Sequence, residues 1–351
     1  MRTFEKSRFL TAFILAGFVS LTHKGALAEN EGASKVLSVE SLRAYAFSKS
    51  PLIAKIDASF VDQLGVAIET GQLQNPEIQV QAQHASSYSG ERPEDRYAVT
   101  ISQPLRLSDF GARSAVENLL RKAATQKQQV ELLELSQNIL LQYVNLWALK
   151  SRKSFVEEMR SLASRKASLA AEGKHRGFLG TSEVKLLQGA AARLKLLELG
   201  LGADISSTEA TLTNLTGFAF LDYEVEQPEF IEIPSLEEAV KKSHESSLGI
   251  GSRVDLLEDV ARRQAQLAKT DSFPGFSPSL LYEHEDGSDF IGIGVSFELP
   301  IFNGNQGEVV RKKGSERELS ASQEYIERGA FRSELKATLK GVQLKFDQAK
   351  A

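Results

Sequence analysis

The chain has 351 residues, 42% of them hydrophobic and 25% charged, with 42 basic against 46 acidic side chains and a formal net charge of −4. This composition excludes a disordered or collagen-like chain, and it leaves no surplus of cations to neutralise phosphates, so no nucleic-acid partner is expected. Cysteine is absent, which removes disulfides, thiolate metal sites, catalytic thiols and lipidated cysteines together.

Residues 1–28 read as a secretory signal peptide. Arg2, Lys6 and Arg8 give a positive start, Phe9 to Leu21 an apolar core, and Ala26-Leu27-Ala28 a small-x-small cleavage site. That core is too short to span a hydrocarbon layer of about 30 Å, which needs roughly 20 helical residues. Nothing later in the chain is apolar for long enough to span a membrane as a helix, so any insertion by residues 29–351 must use β-strands.

Ser38-Val39-Glu40-Ser41 predicts a helix N-cap with an acid in the first turn, opening a helix to about Thr70. Asn75-Pro76 then opens a region of period two. Ile78, Val80 and Ala82 alternate with glutamines, and Tyr97, Val99 and Ile101 alternate with Ala98, Thr100 and Ser102. Ser87 to Asp95 is the polar tip between the two strands. Such alternation suits a strand between lipid and a wet lumen. It also suits a half-buried strand of a soluble sheet, and periodicity alone leaves both readings open.

After Pro104 and Gly111, residues 112–172 contain neither glycine nor proline. Such a stretch predicts a helix of roughly 90 Å at 1.5 Å per residue. Its apolar positions (Val116, Leu119, Leu120, Val130, Leu133, Ile139, Leu140, Val144, Trp147) recur at threes and fours. A break is expected over 173–180, and a second helix from about Ser182 to Leu215, ending before Gly217. This helix and the one before the strands are each about half as long as the helix between them. Two half-length helices stacked end to end would therefore line the long one.

The same order recurs about 196 residues later, which indicates an internal repeat. Ser235-Leu236-Glu237-Glu238 reads as a second N-cap, Ser277-Pro278 opens a second strand region, and Pro300 precedes Gly307 by the seven residues that separate Pro104 from Gly111. Ile291, Ile293, Val295 and Phe297 alternate with Gly292, Gly294, Ser296 and Glu298. The units are repeat 1 over about 38–217, a linker or equatorial segment over about 218–234, and repeat 2 over about 235–351.

The resemblance is to the outer-membrane efflux family to which TolC belongs, and it covers nearly all of the chain after residue 28. Gly177-Phe178-Leu179-Gly180-Thr181-Ser182-Glu183-Val184 resembles that family's helix-hairpin tip. Pro300-Ile301-Phe302-Asn303-Gly304-Asn305-Gln306-Gly307 and Asn75-Pro76-Glu77-Ile78 resemble the branch that exports heavy-metal cations with RND pumps. In physical terms Asn303-Gly304 is a turn pair, and Asn305 is placed to cap the helix that follows.

The resemblance implies a mainly α fold with a membrane β-barrel part. Long coiled-coil-like helical hairpins and four strands per protomer would join in a homotrimeric α/β-barrel channel of the outer membrane with a periplasmic helical extension. Its partners would be outer-membrane lipid, a periplasmic adaptor and, through the adaptor, an inner-membrane RND-type pump. No cofactor is implied. The adaptor-docking tip would be Arg176, Gly177, Phe178, Leu179 and Gly180. The lipid-facing strand residues would be Ile78, Val80, Ile291, Ile293, Val295 and Phe297, and the strand-helix junctions Pro104, Gly111, Pro300, Asn303 and Gly307. Against the first unit, Ala351 corresponds to about Phe155. The second unit is therefore expected to be truncated, without a second tip or the family's aspartate-lined gate, and with an apolar stripe (Leu335, Leu339, Val342) exposed.

No G-x-S-x-G elbow, P-loop or H-E-x-x-H occurs, and the five histidines are scattered, so neither an enzyme nor a metal centre is expected. Glu283-His284-Glu285-Asp286 reads as a solvated hairpin tip before it reads as a cation site. Arg311-Lys312-Lys313 likewise reads as a solvated helix face before it reads as a site for lipopolysaccharide or an acidic partner. The alternative class is a non-channel periplasmic helical-hairpin adaptor or scaffold, which has no use for two proline-bounded amphipathic strand pairs.

Overall fold

The structure, a computed structural model, describes residues 35–85, 94–106, 109, 111–178, 180–220, 223–229, 234–270, 273, 275–285, 287–298, 302, 304–327 and 329–350. The expected signal peptide (1–28), most of the first strand tip, and Leu179, Pro300 and Asn303 lie outside these residues. In chain order the elements are β1 (Lys35–Leu37), α1 (Val39–Lys49), α2 (Pro51–Gly71), β2 (Glu77–Ala85), β3 (Glu94–Ser102), α3 (Ala112–His175) and α4 (Thr181–Thr216). They continue with β4 (Tyr223–Val225), α5 (Leu236–Glu245), α6 (Ile250–Thr270), β5 (Gly275–Glu285), β6 (Ser288–Glu298), α7 (Gln306–Glu327) and α8 (Ala330–Lys350).

The helix expected from Ser38 to Thr70 is two helices. Ser38 caps the first as predicted, its hydroxyl accepting from the Ser41 N–H. Ser50 then turns extended, with ψ 132°, because a residue before proline is pushed out of the α region, and Pro51 starts α2 where its missing N–H costs nothing. α3 runs unbroken for 64 residues, about 96 Å. Helix α2 lies antiparallel along its first part, where Gln128 donates to Asp57 at 2.9 Å. Helix α4 lies along the later part, with Arg160 and Glu198 paired at 2.7 Å and Lys150 and Glu209 at 3.0 Å.

The two shorter helices meet end to end. Ser50 Oγ accepts from the Leu52 N–H at the start of α2 and donates to the Leu215 carbonyl at the end of α4, 2.7 Å away. One hydroxyl thus satisfies an orphan donor of one helix and an orphan acceptor of the other.

The core sits at this junction and midway along α3. Leu37, Leu42, Ala46, Leu135, Ile139, Tyr143, Leu146, Leu212 and Phe218 form one buried cluster, with Tyr45, Phe220 and Tyr223 edge-on around Phe218. Of the expected α3 stripe, Val116, Val130 and Ile139 are buried, but Leu133 and Val144 are exposed. Tyr143 takes the central place instead, because its hydroxyl finds partners: it donates to the Leu37 carbonyl at 2.6 Å and reaches the Glu226 carbonyl at 2.9 Å. Those carbonyls belong to β1 and to the residue after β4, and β1 and β4 pair in parallel. Burial pushes the Tyr143 phenol up to about 12. Two strands of three residues carry too little pattern to be read from sequence, and β4 falls within the expected linker.

Later in the chain, α6 and α7 run antiparallel. Lys312 donates to Gln264 at 3.1 Å and Ser320 to Glu258 at 2.8 Å. Ser235 caps α5 in a reciprocal box with Glu238, whose carboxyl is held below its usual range first by the Ser235 N–H and then by its hydroxyl. The helix expected to run on from Gly307 is broken before Gly329, which sits at φ 83°, a left-handed conformation that ends a helix and that glycine adopts without strain. In α8, Val342 is exposed, whereas Leu335 and Leu339 are half-buried rather than bare.

Candidate functional site

The four longer strands form one antiparallel sheet in the order β2-β3-β5-β6. Its register joins the two hairpins into common faces. Ile78 pairs with Ile101, Ile101 with Leu280, and Leu280 with Ile293, so these four side chains make one row across the sheet. The next row is Val80, Val99, Tyr282 and Ile291. Towards the helices the same face continues through Pro278 with Val295 and Phe276 with Phe297. Towards the tips it continues through Ala82, Tyr97, His284 and Asp289. All six residues predicted to face lipid fall on this face, and all are exposed, Ile293 at 91%. From Phe276 to His284 the face extends about 26 Å at ~3.3 Å per residue.

The opposite face is polar. Gln79, Gln81 and Gln83 stand beside Thr100, Ala98 and Arg96, then Leu281, Glu283 and Glu285, then Gly292, Phe290 and Ser288. Gly294 is needed there, since a Cβ would stand 2.7 Å from the Ser279 hydroxyl. The alternation in the sequence located this face but missed its two exceptions, Leu281 and Phe290. The run Leu280-Leu281-Tyr282 is the visible signal, because it breaks the alternation of β5. Pro278 lies inside β5 and does not open it. Beyond Ser102 and Ser279 the pairing continues: the Gln103 N–H donates to the Pro278 carbonyl at 3.1 Å, and the return bond is missing because proline has no N–H.

At the strand-helix junctions, Pro104 follows β3, and Leu105 exchanges backbone hydrogen bonds with Phe276 at 2.9 Å each way. Gly111 precedes α3 at φ 77°, and Gly307 lies in the first turn of α7. Asn305 stands at φ 56° and its amide donates to the Ala268 carbonyl at 3.1 Å, tying the start of α7 to the end of α6.

The helix-hairpin tip closes where predicted. Arg176 donates its N–H to the Glu172 and Lys174 carbonyls, and Gly177 turns at φ 78°. Gly180 starts α4 with its N–H on Glu183 Oε2 at 2.9 Å. Between them Phe178 stands 80% exposed. At the sheet's far end His84 pairs with Asp95 at 2.6 Å and His284 with Asp289 at 2.7 Å. No group of three or more metal-ligating side chains occurs among the described residues. No helix among them is long and apolar enough to cross a membrane.

No protein-family model and no curated protein matches the sequence. Solved structures do match the fold. The outer membrane protein VceC of Vibrio cholerae superposes with a TM-score of 0.70 at 15% identity, over 89% of this chain and 81% of that one. The Campylobacter jejuni outer membrane channel CmeC gives 0.70 at 16% identity, over 93% and 78%. CusC, described for its transmembrane channel formation, gives 0.68 at 12% identity, over 94% and 80%. The chain therefore has the TolC-like outer-membrane-factor fold that the tip and junction motifs resemble: mainly helical, with a few strands. Within one chain the described strands form an open sheet, not a closed barrel.

Proposed function

We propose that the chain is a subunit of an outer-membrane channel in a tripartite efflux system, a passive duct for solutes handed on by an inner-membrane pump through a periplasmic adaptor. The observation that carries this reading is the register of the sheet. It gathers the apolar residues of two hairpins distant in sequence onto one exposed face and glutamine, serine, threonine and glycine onto the other. The strands have 9, 9, 11 and 11 residues, the roughly 9–11 that a tilted strand needs to cross a bilayer. Phe276, Phe297, Tyr97 and Tyr282 lie towards the two ends of the apolar face, as in the aromatic girdles of outer-membrane barrels.

A single sheet of this kind leaves two edges and an apolar face unsatisfied. Closing it with two further copies makes a homotrimeric barrel of twelve strands and removes every edge. In this reading the chain is an internal two-fold repeat, residues 1–28 are its export signal, and the tip around Gly177 and Phe178 docks the adaptor. Heavy-metal cations are the solute class that the junction motif implies. Membrane fractionation tests the reading. A channel subunit is extracted from outer membranes only by detergent, whereas release by osmotic shock would favour the helical-hairpin scaffold.

A further inference from the structure

Phe290 is out of place on the polar face of the sheet. Its neighbours on β6 on that face are Ser288 and Gly292, its partner across the ladder is Glu283, and the residue is 52% exposed. Leu281 lies one row away on the same face, leaning over Gly292, where a Cβ would stand 3.8 Å from Leu281 Cβ and Cδ2. Leu281 is half-buried there, and the glycine opposite it adds no side chain over the part that stays exposed. Beside this pair, Arg96 is shared by two carboxylates, Glu283 and Glu285, the second at 3.7 Å. One guanidinium cannot neutralise both, so the apolar patch borders a local excess of negative charge.

We infer that Phe290 and Leu281 form a solute contact in the duct, and that its ligand is an amphiphilic organic cation: an apolar group on the phenyl ring and leucine, a positive charge towards Glu283 and Glu285. The inference rests on the duct reading above, in which the polar face lines the lumen and each copy contributes one such patch near the outer mouth. It departs from the heavy-metal cations implied by the junction motif, because a small hydrated ion gains nothing from an aromatic ring flanked by leucine. An exposed ring beside carboxylates is instead the arrangement that attracts large, poorly hydrated cations.

The test is single-channel recording of the purified full chain in planar bilayers with potassium chloride, adding tetraphenylphosphonium as the probe. The wild type should conduct and be partly blocked. Phe290→Ser should keep the potassium conductance and weaken the block about tenfold, Leu281→Ser should weaken it less, and Phe290→Tyr should retain it. Equal block in wild type and Phe290→Ser, or no block in the wild type, overturns the inference while the duct reading stands. No conductance from the wild type overturns the duct reading and this inference with it.

Discussion

In the hub around Tyr143 the chain closes off its apolar side chains with its own elements; in the four-stranded sheet it leaves them in the open. Leu42, Ile139, Tyr143, Leu146 and Leu212 are inaccessible, packed between α1, α3, α4 and the β1–β4 pair. Ile78, Val80, Ile291 and Ile293 are as apolar as the hub residues, yet they stand mostly exposed among the described residues. The hub therefore holds the chain together, while under the proposed function the sheet's apolar face meets something outside the chain. Side chains in the hub should be measured by folding, and those in the sheet by insertion and assembly.

The largest expected contrast is between truncations in the two regions. Ile139→Ala should lower unfolding stability in detergent by about 2–5 kcal/mol, as a buried large-to-small change does. Ile293→Ala should leave the same helical unfolding transition in place. A large loss at both positions would mean that the sheet has a core within the chain. Next come opposite faces of one strand. Ile293→Arg should cost about 2–4 kcal/mol of membrane insertion, the cost of a cation at a barrel's lipid midplane. Gly294→Arg should insert but lower conductance, since its side chain meets Ser279. Equal tolerance at 293 and 294 in an insertion assay would point to a soluble sheet.

A smaller effect sharpens the hub. Tyr143→Phe removes the hydroxyl that bonds the Leu37 and Glu226 carbonyls. The Leu37 carbonyl keeps the Glu226 N–H at 3.1 Å, so the change should cost about 0.5–1.5 kcal/mol. The wild-type contribution also has a pH dependence. The folded phenol titrates at about 12, above the unfolded value of about 10, so its stabilisation is complete below pH 10 and is lost as pH rises from 10 to 12. Tyr143→Phe should flatten that alkaline slope in a denaturant titration. The smallest effect on stability belongs to the tip. Phe178→Asp should change unfolding by no more than ~0.5 kcal/mol, yet abolish cross-linking to the adaptor. Unaltered cross-linking would remove the tip from the docking surface.

The sequence made the strands and long helices legible because their signals are local and repetitive: alternation at 78–82 and 291–297, the glycine-free run at 112–172, and the caps at Ser38 and Ser235. What it concealed depends on distant partners. Tyr143 looks like one more position on a helix until β1 and β4 supply carbonyls for its hydroxyl. The shared face of the two hairpins needs the pairing of Ile101 with Leu280, which no single hairpin encodes. Ser50 reads as a cap for α2, but its bond to Leu215 appears only when α4 returns beside it. At the candidate site, the six positions expected to face lipid were visible from alternation. Phe290 was not, because alternation counts it merely as a defect.

The central claim is that one face of the sheet meets lipid and the other water, and the absence of native cysteine makes it directly measurable. Single cysteines at Ile78, Val80, Ile291 and Ile293, and at Gln79, Gln81, Gly292 and Ser296, should be placed in the full chain in outer-membrane vesicles. They would then be labelled with a small membrane-impermeant maleimide and, separately, with a lipid-soluble one. The account predicts strict alternation, the first set reacting only with the lipid-soluble reagent and the second with the water-soluble one. Uniform reaction of both sets with the water-soluble reagent would contradict it.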